Sequence, residues 1–270
     1  MFKSTSILEE EHIFIHSLLG RTGSTALQRL LNSSGQITVW GEPWGLIARV
    51  LDFANFMDQR RIRLKDSHQH EQYKILVEST KSGVHNKFYP NAFRPLDDSI
   101  RMIDHLIVEL LKSPDRKVRR FGYKDITNFK LVFINQLMSK FPNAHIVFMI
   151  RRPIDQWISV RSTGFFNYDL DFFIKTYNEL GYTILSLKKR HPCFPIIDKE
   201  WLLDEKVVAR LFKSLSISKF DKKLIGKTVS SFPPIQLEER ERTYIEQSGV
   251  NTIYERLLEK SIEDYNRIMS

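Results

Sequence analysis

Residues 13–25 read IFIHSLLGRTGST, an apolar run that leads into a short glycine-containing loop. The run predicts a buried strand, and a helical pattern of apolar residues follows the loop at Leu27, Leu30 and Leu31. A strand, a tight loop and a helix N-terminus in this order are typical of an anion site, because unpaired N–H groups and the helix dipole both favour negative charge there.

The loop residues suit such a site individually. Gly20 and Gly23 permit a tight turn and a close approach of backbone to ligand. Ser24 and Thr25 are predicted to cap the helix, and Arg21 adds a fixed positive charge. A standard nucleotide P-loop would carry lysine directly before the hydroxyl residue, where this chain has glycine. The alternative interpretation is an ordinary strand-to-helix turn without a ligand.

Length and charge limit the candidate functions. The 270 residues fit one large domain, which we predict to span residues 1–270. The hydrophobic share of 42% and the charged share of 27% are ordinary for a globular protein. The formal net charge of +9 favours anionic ligands without choosing among them.

The sequence lacks the patterns typical of disulfide-linked, membrane-spanning and nucleic-acid-binding proteins. Cys193 is the only cysteine, so an intramolecular disulfide is excluded and no cysteine-based metal site is expected. The N-terminus lacks a signal-peptide pattern and no apolar stretch approaches 18 residues, so we expect a cytoplasmic chain without a membrane span. The basic segment 112–120 has little interleaved aromatic character, so we expect no nucleic-acid partner.

Strands and helices alternate along the chain. This pattern predicts an α/β fold with a mainly parallel central sheet and helices on both faces. The most apolar strand, residues 145–150, is expected at the centre of that sheet. A helix that covers the sheet is predicted over residues 201–212.

Polar residues follow three of the predicted strands, where ligands gather in open α/β sheets. Glu42 follows the strand at residues 37–40 and is either a general base or the cap of its own helix. Lys124 follows the strand at residues 121–123 and either meets an anion held by the first loop or pairs with Asp125 or solvent.

The third set follows the central strand. Arg151 comes directly after that strand, and Ser159 lies eight residues further on, two turns into a helix. The two side chains either face one phosphate group or are a surface arginine and a serine bonded to backbone.

These segments together resemble the sulfotransferases that use 3′-phosphoadenosine 5′-phosphosulfate (PAPS). Residues 21–25, Arg-Thr-Gly-Ser-Thr, are similar to the family's loop for the 5′-phosphosulfate, and Arg151-Arg152-Pro153 with Ser159 is similar to its 3′-phosphate motif. Gly41-Glu42-Pro43 follows at the distance seen in the tyrosylprotein and Golgi carbohydrate branches. Lys124-Asp125 is similar to the Lys-Asp-Pro segment of those branches.

The resemblance implies a P-loop-like sulfotransferase fold and an O-sulfotransferase that moves a sulfuryl group from PAPS to an acceptor hydroxyl. The acceptor would be a carbohydrate or a peptide tyrosine rather than a small phenol, and the product nucleotide would be adenosine 3′,5′-bisphosphate (PAP). The implied cofactor-binding residues are Arg21, Thr22, Gly23, Ser24, Thr25, Arg151 and Ser159. Glu42 would be the general base, Arg21 and Lys124 would stabilise developing charge, and no metal would be required.

The sequence departs from the family pattern in several places. Thr22 replaces the usual serine, and Ile126 replaces the proline after Lys-Asp. The Arg-Lys-Gly cofactor motif of the cytosolic branch has only a loose substitute within residues 222–227. Two other functions therefore remain open, a kinase-like phosphotransferase and a non-catalytic protein that binds a sulfated or phosphorylated partner.

Overall fold

Five strands pair in parallel to form one sheet. The computed structural model describes residues 7–41, 46–64, 96–126, 131–164, 166, 169–227 and 235–270. The strands in these ranges are β1 (Ile13–Ser17), β2 (Ile37–Trp40), β3 (Arg120–Asp125), β4 (His145–Ile150) and β5 (Ile196–Asp198). Their order across the sheet is β2-β3-β1-β4-β5, and every pairing is parallel. The predicted α/β fold with a parallel sheet is confirmed.

Helices connect the strands and follow the last of them. Those in the described residues are α1 (Ser24–Ser33), α2 (Leu46–Leu64), α3 (Leu96–Leu111), α4 (Leu131–Lys140), α5 (Pro153–Thr163), α6 (Leu170–Arg190), α7 (Glu205–Ser214), α8 (Glu239–Gln247) and α9 (Val250–Met269). The predicted start of a helix at residue 201 is wrong, because a 3₁₀ turn spans Lys199–Leu203 and a new helix begins after it. Asp204 separates the two, since its side chain accepts hydrogen bonds from the backbone N–H groups of Lys206 and Val207.

The core has two layers, one on each face of the sheet. Side chains of β1 alternate between them: Ile13 and Ile15 face one layer, and Phe14 faces the other. Helices α1 and α7 cover the first face, and the remaining helices contribute to the second. The strands are apolar on both faces because both faces are covered.

Strand β1 lies at the point where the connections diverge. The chain leaves β1 toward β2 at one edge of the sheet, whereas β4, its other neighbour, leads to β5 at the opposite edge. Ligands of open α/β sheets bind at such a divergence, outside the carboxyl ends of the strands. The loop after β1 therefore occupies the position in this fold that is best suited to a ligand.

The C-terminal helix α9 supplies hydrogen-bond partners for the backbone groups of the edge strand β5. On the side of β5 away from β4, the Ile196 N–H donates to Asp264 Oδ2 at 2.9 Å and the Ile196 carbonyl accepts from Ser261 Oγ at 2.9 Å. Asp264 is buried and also accepts from Lys188 Nζ at 2.5 Å and from Arg267 at 2.6 Å. Helix α9 thereby fixes β5 and covers an edge that would otherwise be open to another chain.

Replacing Asp264 by alanine is expected to lower the free energy of unfolding by about 3–5 kcal/mol, because the buried Lys188 ammonium loses its counter-ion. Urea denaturation measures the change. Glu263→Ala is the matched control: Glu263 pairs with Lys260 on the exposed side of the same helix, and the expected cost is at most about 1 kcal/mol. Equal losses in the two variants would contradict this role for Asp264.

Candidate active site

The loop between β1 and α1 alternates in backbone handedness. Leu19, Arg21 and Gly23 have φ angles of 62°, 72° and 89°, whereas the intervening Gly20 and Thr22 are outside this left-handed region. Successive residues of alternating handedness direct their N–H groups toward one point and form a concave anion-binding nest. Leu19 and Arg21 adopt this conformation although they carry side chains, at a cost on the order of 1–3 kcal/mol each.

Side chains from α5 and from the residue that follows β4 hold the carbonyl groups of this loop. Gln156 Nε2 donates to the Leu18 carbonyl at 2.6 Å and to the Gly20 carbonyl at 2.7 Å. Arg151 Nη1 donates to the Arg21 carbonyl at 3.1 Å. Because a peptide unit is planar, a carbonyl held on one side fixes the adjacent N–H on the other. The nest is thus held in place by residues more than 100 positions away in the sequence.

Helix α1 begins one residue earlier than its sequence suggests. Its N-cap is Gly23, and no side chain caps it, so the predicted capping by Ser24 and Thr25 is wrong. Gly23 takes this place because its left-handed backbone is accessible to glycine. The Thr25 hydroxyl instead accepts a hydrogen bond from Lys124 Nζ at 3.0 Å. Thr22 is fully buried, and its hydroxyl has no hydrogen-bond partner within the described residues.

Lys124 lies inside strand β3 rather than after it, because the strand extends to Asp125 and not to the predicted residue 123. Its side chain is 8% exposed and reaches the first turn of α1. The Lys124 side chain thus lies beside the helix that follows the first loop. Lys124 can therefore place a positive charge beside an anion bound at the helix N-terminus.

The arginines of the two predicted phosphate motifs meet in one cluster. Arg21 Nε donates to Ser159 Oγ at 3.0 Å, across 138 residues of sequence, and Arg151 contacts the Arg21 backbone. Burial lowers the pKa of both guanidinium groups; for Arg151 the charges of Asp155, Glu200 and Asp198 raise the pKa, whereas the charge of Arg21 lowers it. The Tyr177 hydroxyl donates to the Arg151 carbonyl at 3.0 Å and fixes the backbone at that position. An anion bound here would favour the charged form of both guanidinium groups.

Two further sequence-based expectations concern Glu42 and the C-terminal cofactor motif. Glu42 lies outside the described residues. The loose substitute for the C-terminal cofactor motif begins at a 3₁₀ turn, Lys222–Leu224. The N–H of Asp221, just before this turn, donates a hydrogen bond to Ser33 Oγ at the C-terminal end of α1. Ten helical residues, about 15 Å, separate that end from the loop. Lys222 itself pairs with Glu205 at 2.5 Å.

Sequence reasoning missed Gln156, although a signal was present. Pro153, Gln156, Trp157 and Val160 form the buried stripe of α5, at the spacing i, i+3, i+4, i+7. A glutamine on an otherwise apolar stripe must hydrogen-bond inside the protein, because burying an amide without partners is costly. That argument identifies Gln156 as a residue with a buried partner but does not reveal which one.

Two further properties concern only the described ranges. No group of three or more His, Cys, Asp or Glu side chains there has an arrangement that would hold a metal ion. None of the helices in those ranges has the length and apolar character needed to cross a membrane.

Replacing Gln156 by leucine is expected to lower the free energy of unfolding by about 1–3 kcal/mol for each of the two carbonyls left without a donor. Urea denaturation measures the loss, and hydrogen exchange should show faster exchange of the amides in residues 19–25. Gln247→Leu, at an exposed position of α8, is the control and should change neither quantity. Unchanged stability and exchange in Gln156→Leu would show that Gln156 does not hold the loop.

Comparisons with known proteins identify the family of this chain. The model of the sulfotransferase family matches residues 13–193, a range that includes the loop, β4 and α5. Similar solved structures include a sulfotransferase domain from the olefin synthase of Synechococcus PCC 7002, with 16% identity, 88% of this chain and 94% of that chain covered, and a TM-score of 0.43. A second similar structure is a sulfotransferase domain from the curacin biosynthetic pathway, with 14% identity, 91% of this chain and 89% of that chain covered, and a TM-score of 0.45. No curated protein matches. Since the family model covers well over half of the sequence, the chain belongs to the sulfotransferase family.

Proposed function

We propose that this chain, as a single domain over residues 1–270, is an O-sulfotransferase that takes its sulfuryl group from PAPS. The observation that carries the proposal is the nest at Leu19, Arg21 and Gly23, which lies at the N-terminus of α1. Gln156, from α5, holds the carbonyl groups of this loop. Such a concavity suits the oxygen atoms of a phosphate or phosphosulfate group. Membership of the family supports the choice of PAPS over other anionic substrates.

The residues at the loop fit the 5′-phosphosulfate of PAPS. Residues 21–25 would bind it through backbone N–H groups, the Ser24 hydroxyl and the buried Thr22 hydroxyl, which has no partner among the described residues. Lys124, which donates a hydrogen bond to the Thr25 hydroxyl, would stabilise charge on the transferred group and on the leaving phosphate. Positioning and fixed positive charge supply most of the catalysis in the related phosphoryl transfers, and we expect the same here.

The cluster of Arg21, Arg151 and Ser159 fits the 3′-phosphate. Ser159 Oγ and the guanidinium of Arg151 lie on neighbouring elements that both contact Arg21. Arg151 Nε is buried and has no acceptor within the described residues, so this side chain retains donor capacity. We propose that Arg151 and Ser159 bind the 3′-phosphate, and that Arg21 links this group to the 5′ side of the nucleotide.

The general base and the acceptor complete the proposal. Glu42 follows β2 by two residues and would remove the proton from the acceptor hydroxyl as the oxygen attacks sulfur. We propose a carbohydrate hydroxyl or a peptide tyrosine as acceptor, because the Gly-Glu-Pro segment resembles that of the enzymes acting on those groups. The net charge of +9 is compatible with an acidic acceptor.

Calorimetric titration with PAP in metal-free buffer is expected to show binding, whereas ATP with magnesium should give no response. Arg151→Ala should weaken PAP binding about 10–100-fold, because one charge-assisted contact to phosphate is lost. Arg152→Ala is the matched control: Arg152 is 60% exposed, pairs with Asp155 at 2.7 Å, and should change the affinity by less than about threefold.

Each alternative function has its own outcome in this titration. A folded protein that does not bind PAP would reject the proposal. Binding of ATP with magnesium in place of PAP would favour a phosphotransferase. Binding of PAP without any turnover of PAPS, across carbohydrate and tyrosine-peptide acceptors, would favour a non-catalytic binding protein.

Replacing Glu42 by glutamine is expected to reduce turnover about 10²–10⁴-fold while PAP affinity stays within about twofold, because only the proton acceptor is lost. Turnover is measured as PAP released from PAPS with an active acceptor from that panel. Asp52→Asn, at an exposed position of α2, is the control for a lost carboxylate and should keep full activity. Full turnover in Glu42→Gln would exclude Glu42 as the base.

A further inference from the structure

We propose that Lys199 is an additional nucleotide-binding residue of this site and that its ammonium group contacts the 3′-phosphate beside Arg151. The inference rests on the proposed function and adds a residue to it. Neither the family motifs nor the pattern of the sequence had assigned a role to this lysine.

The sheet places Lys199 next to Arg151. Ile150, the last residue of β4, is in register with Asp198, the last residue of β5. The chain therefore leaves the two neighbouring parallel strands at the same level, with Arg151 following one and Lys199 following the other. Both cations stand at the carboxyl edge of the sheet, where the ligand is expected.

The stem of Lys199 packs against the loop. A Cβ atom placed on Gly23 would lie 2.9 Å from Lys199 Cγ and 3.5 Å from Lys199 Cβ. The lysine therefore crosses the N-cap of α1 with its methylene groups, as long cationic side chains commonly do over a packed surface. Gly23 must be glycine for this reason as well as for its left-handed backbone.

The ammonium group of Lys199 has no bonding partner among the residues that the structure describes. Across the described part of the chain, it forms neither a hydrogen bond nor an ion pair, although the residue is half-buried. Two of the neighbouring carboxylates have other partners: Asp198 accepts from the Tyr254 hydroxyl at 2.8 Å and from the Glu200 N–H at 2.9 Å, and Asp155 accepts from Arg152 at 2.7 Å. The third carboxylate, that of Glu200, is exposed to solvent. An anionic ligand beside Lys199 would give this half-buried cation a partner.

The charges around Lys199 include that of Arg151. Burial lowers the pKa of Lys199, and the charge of Arg151 lowers it further, while Glu200, Asp155 and Asp198 act in the opposite sense. Arg151 and Lys199 are therefore close enough to repel each other in the absence of ligand. A phosphate between them would convert this repulsion into two attractive contacts, and the 3′-phosphate is the group that we assign to Arg151.

The test compares two nucleotides that differ only in the 3′-phosphate, PAP and adenosine 5′-monophosphate (AMP), by calorimetric titration of the full chain. Lys199→Ala is expected to weaken PAP binding about tenfold, the effect of one charge-assisted contact, and to leave AMP binding within about twofold. Lys199→Arg should retain PAP binding within about threefold, because it keeps the charge. Lys206→Ala, at an exposed position seven residues further along, controls for net charge and should change neither affinity.

The outcomes separate this inference from the proposed function. Failure of the unaltered protein to bind PAP would reject both. Normal PAP binding by the unaltered protein and by Lys199→Ala would reject the role of Lys199 alone. Equal weakening of PAP and AMP would also reject it, because the contact would then not involve the 3′-phosphate. Circular dichroism and thermal unfolding of Lys199→Ala establish that the variant is folded, and Lys199→Arg tests the charge in a variant that keeps the long side chain.

Discussion

The candidate site depends on hydrogen bonds that hold the carbonyl groups of the β1–α1 loop. Gln156 binds two of these carbonyls and Arg151 binds a third, so the opposite N–H groups remain available to a ligand. Arg151 follows β4 and Gln156 lies in α5, and both are beside the loop because β4 pairs with β1. The rigid parallel sheet therefore determines the conformation of the loop, and the loop conformation determines the site.

The same sheet concentrates positive charge at one edge. Arg151 and Lys199 follow neighbouring strands in register, and Arg21 reaches the cluster from the loop. The packed core on both faces of the sheet keeps the ends of these strands together. Helix α9 contributes at a distance, because Asp264 and Ser261 fix the edge strand from which Lys199 extends.

The errors of the sequence-based interpretation have local physical reasons. Ser24 and Thr25 have the chemistry of helix caps, but the left-handed backbone at Gly23 starts the helix earlier. The helix predicted from residue 201 ignored Asp204, whose side chain caps a new helix there. By contrast, the limits of β4 at residues 145–150 were predicted correctly, because an apolar run bounded by polar residues admits one buried strand.

The sequence by itself determined the alternation of strands and helices, the loop after β1, and which cations follow which strands. These features depend on neighbours in the chain, through hydrophobic periodicity and turn chemistry. The tertiary structure alone decided which of those residues meet. The contact of Arg21 with Ser159, the hold of Gln156 on the loop, and the position of Lys199 over Gly23 all follow from the strand order β2-β3-β1-β4-β5. That order is set by packing between segments that are distant in the sequence, which no local pattern encodes.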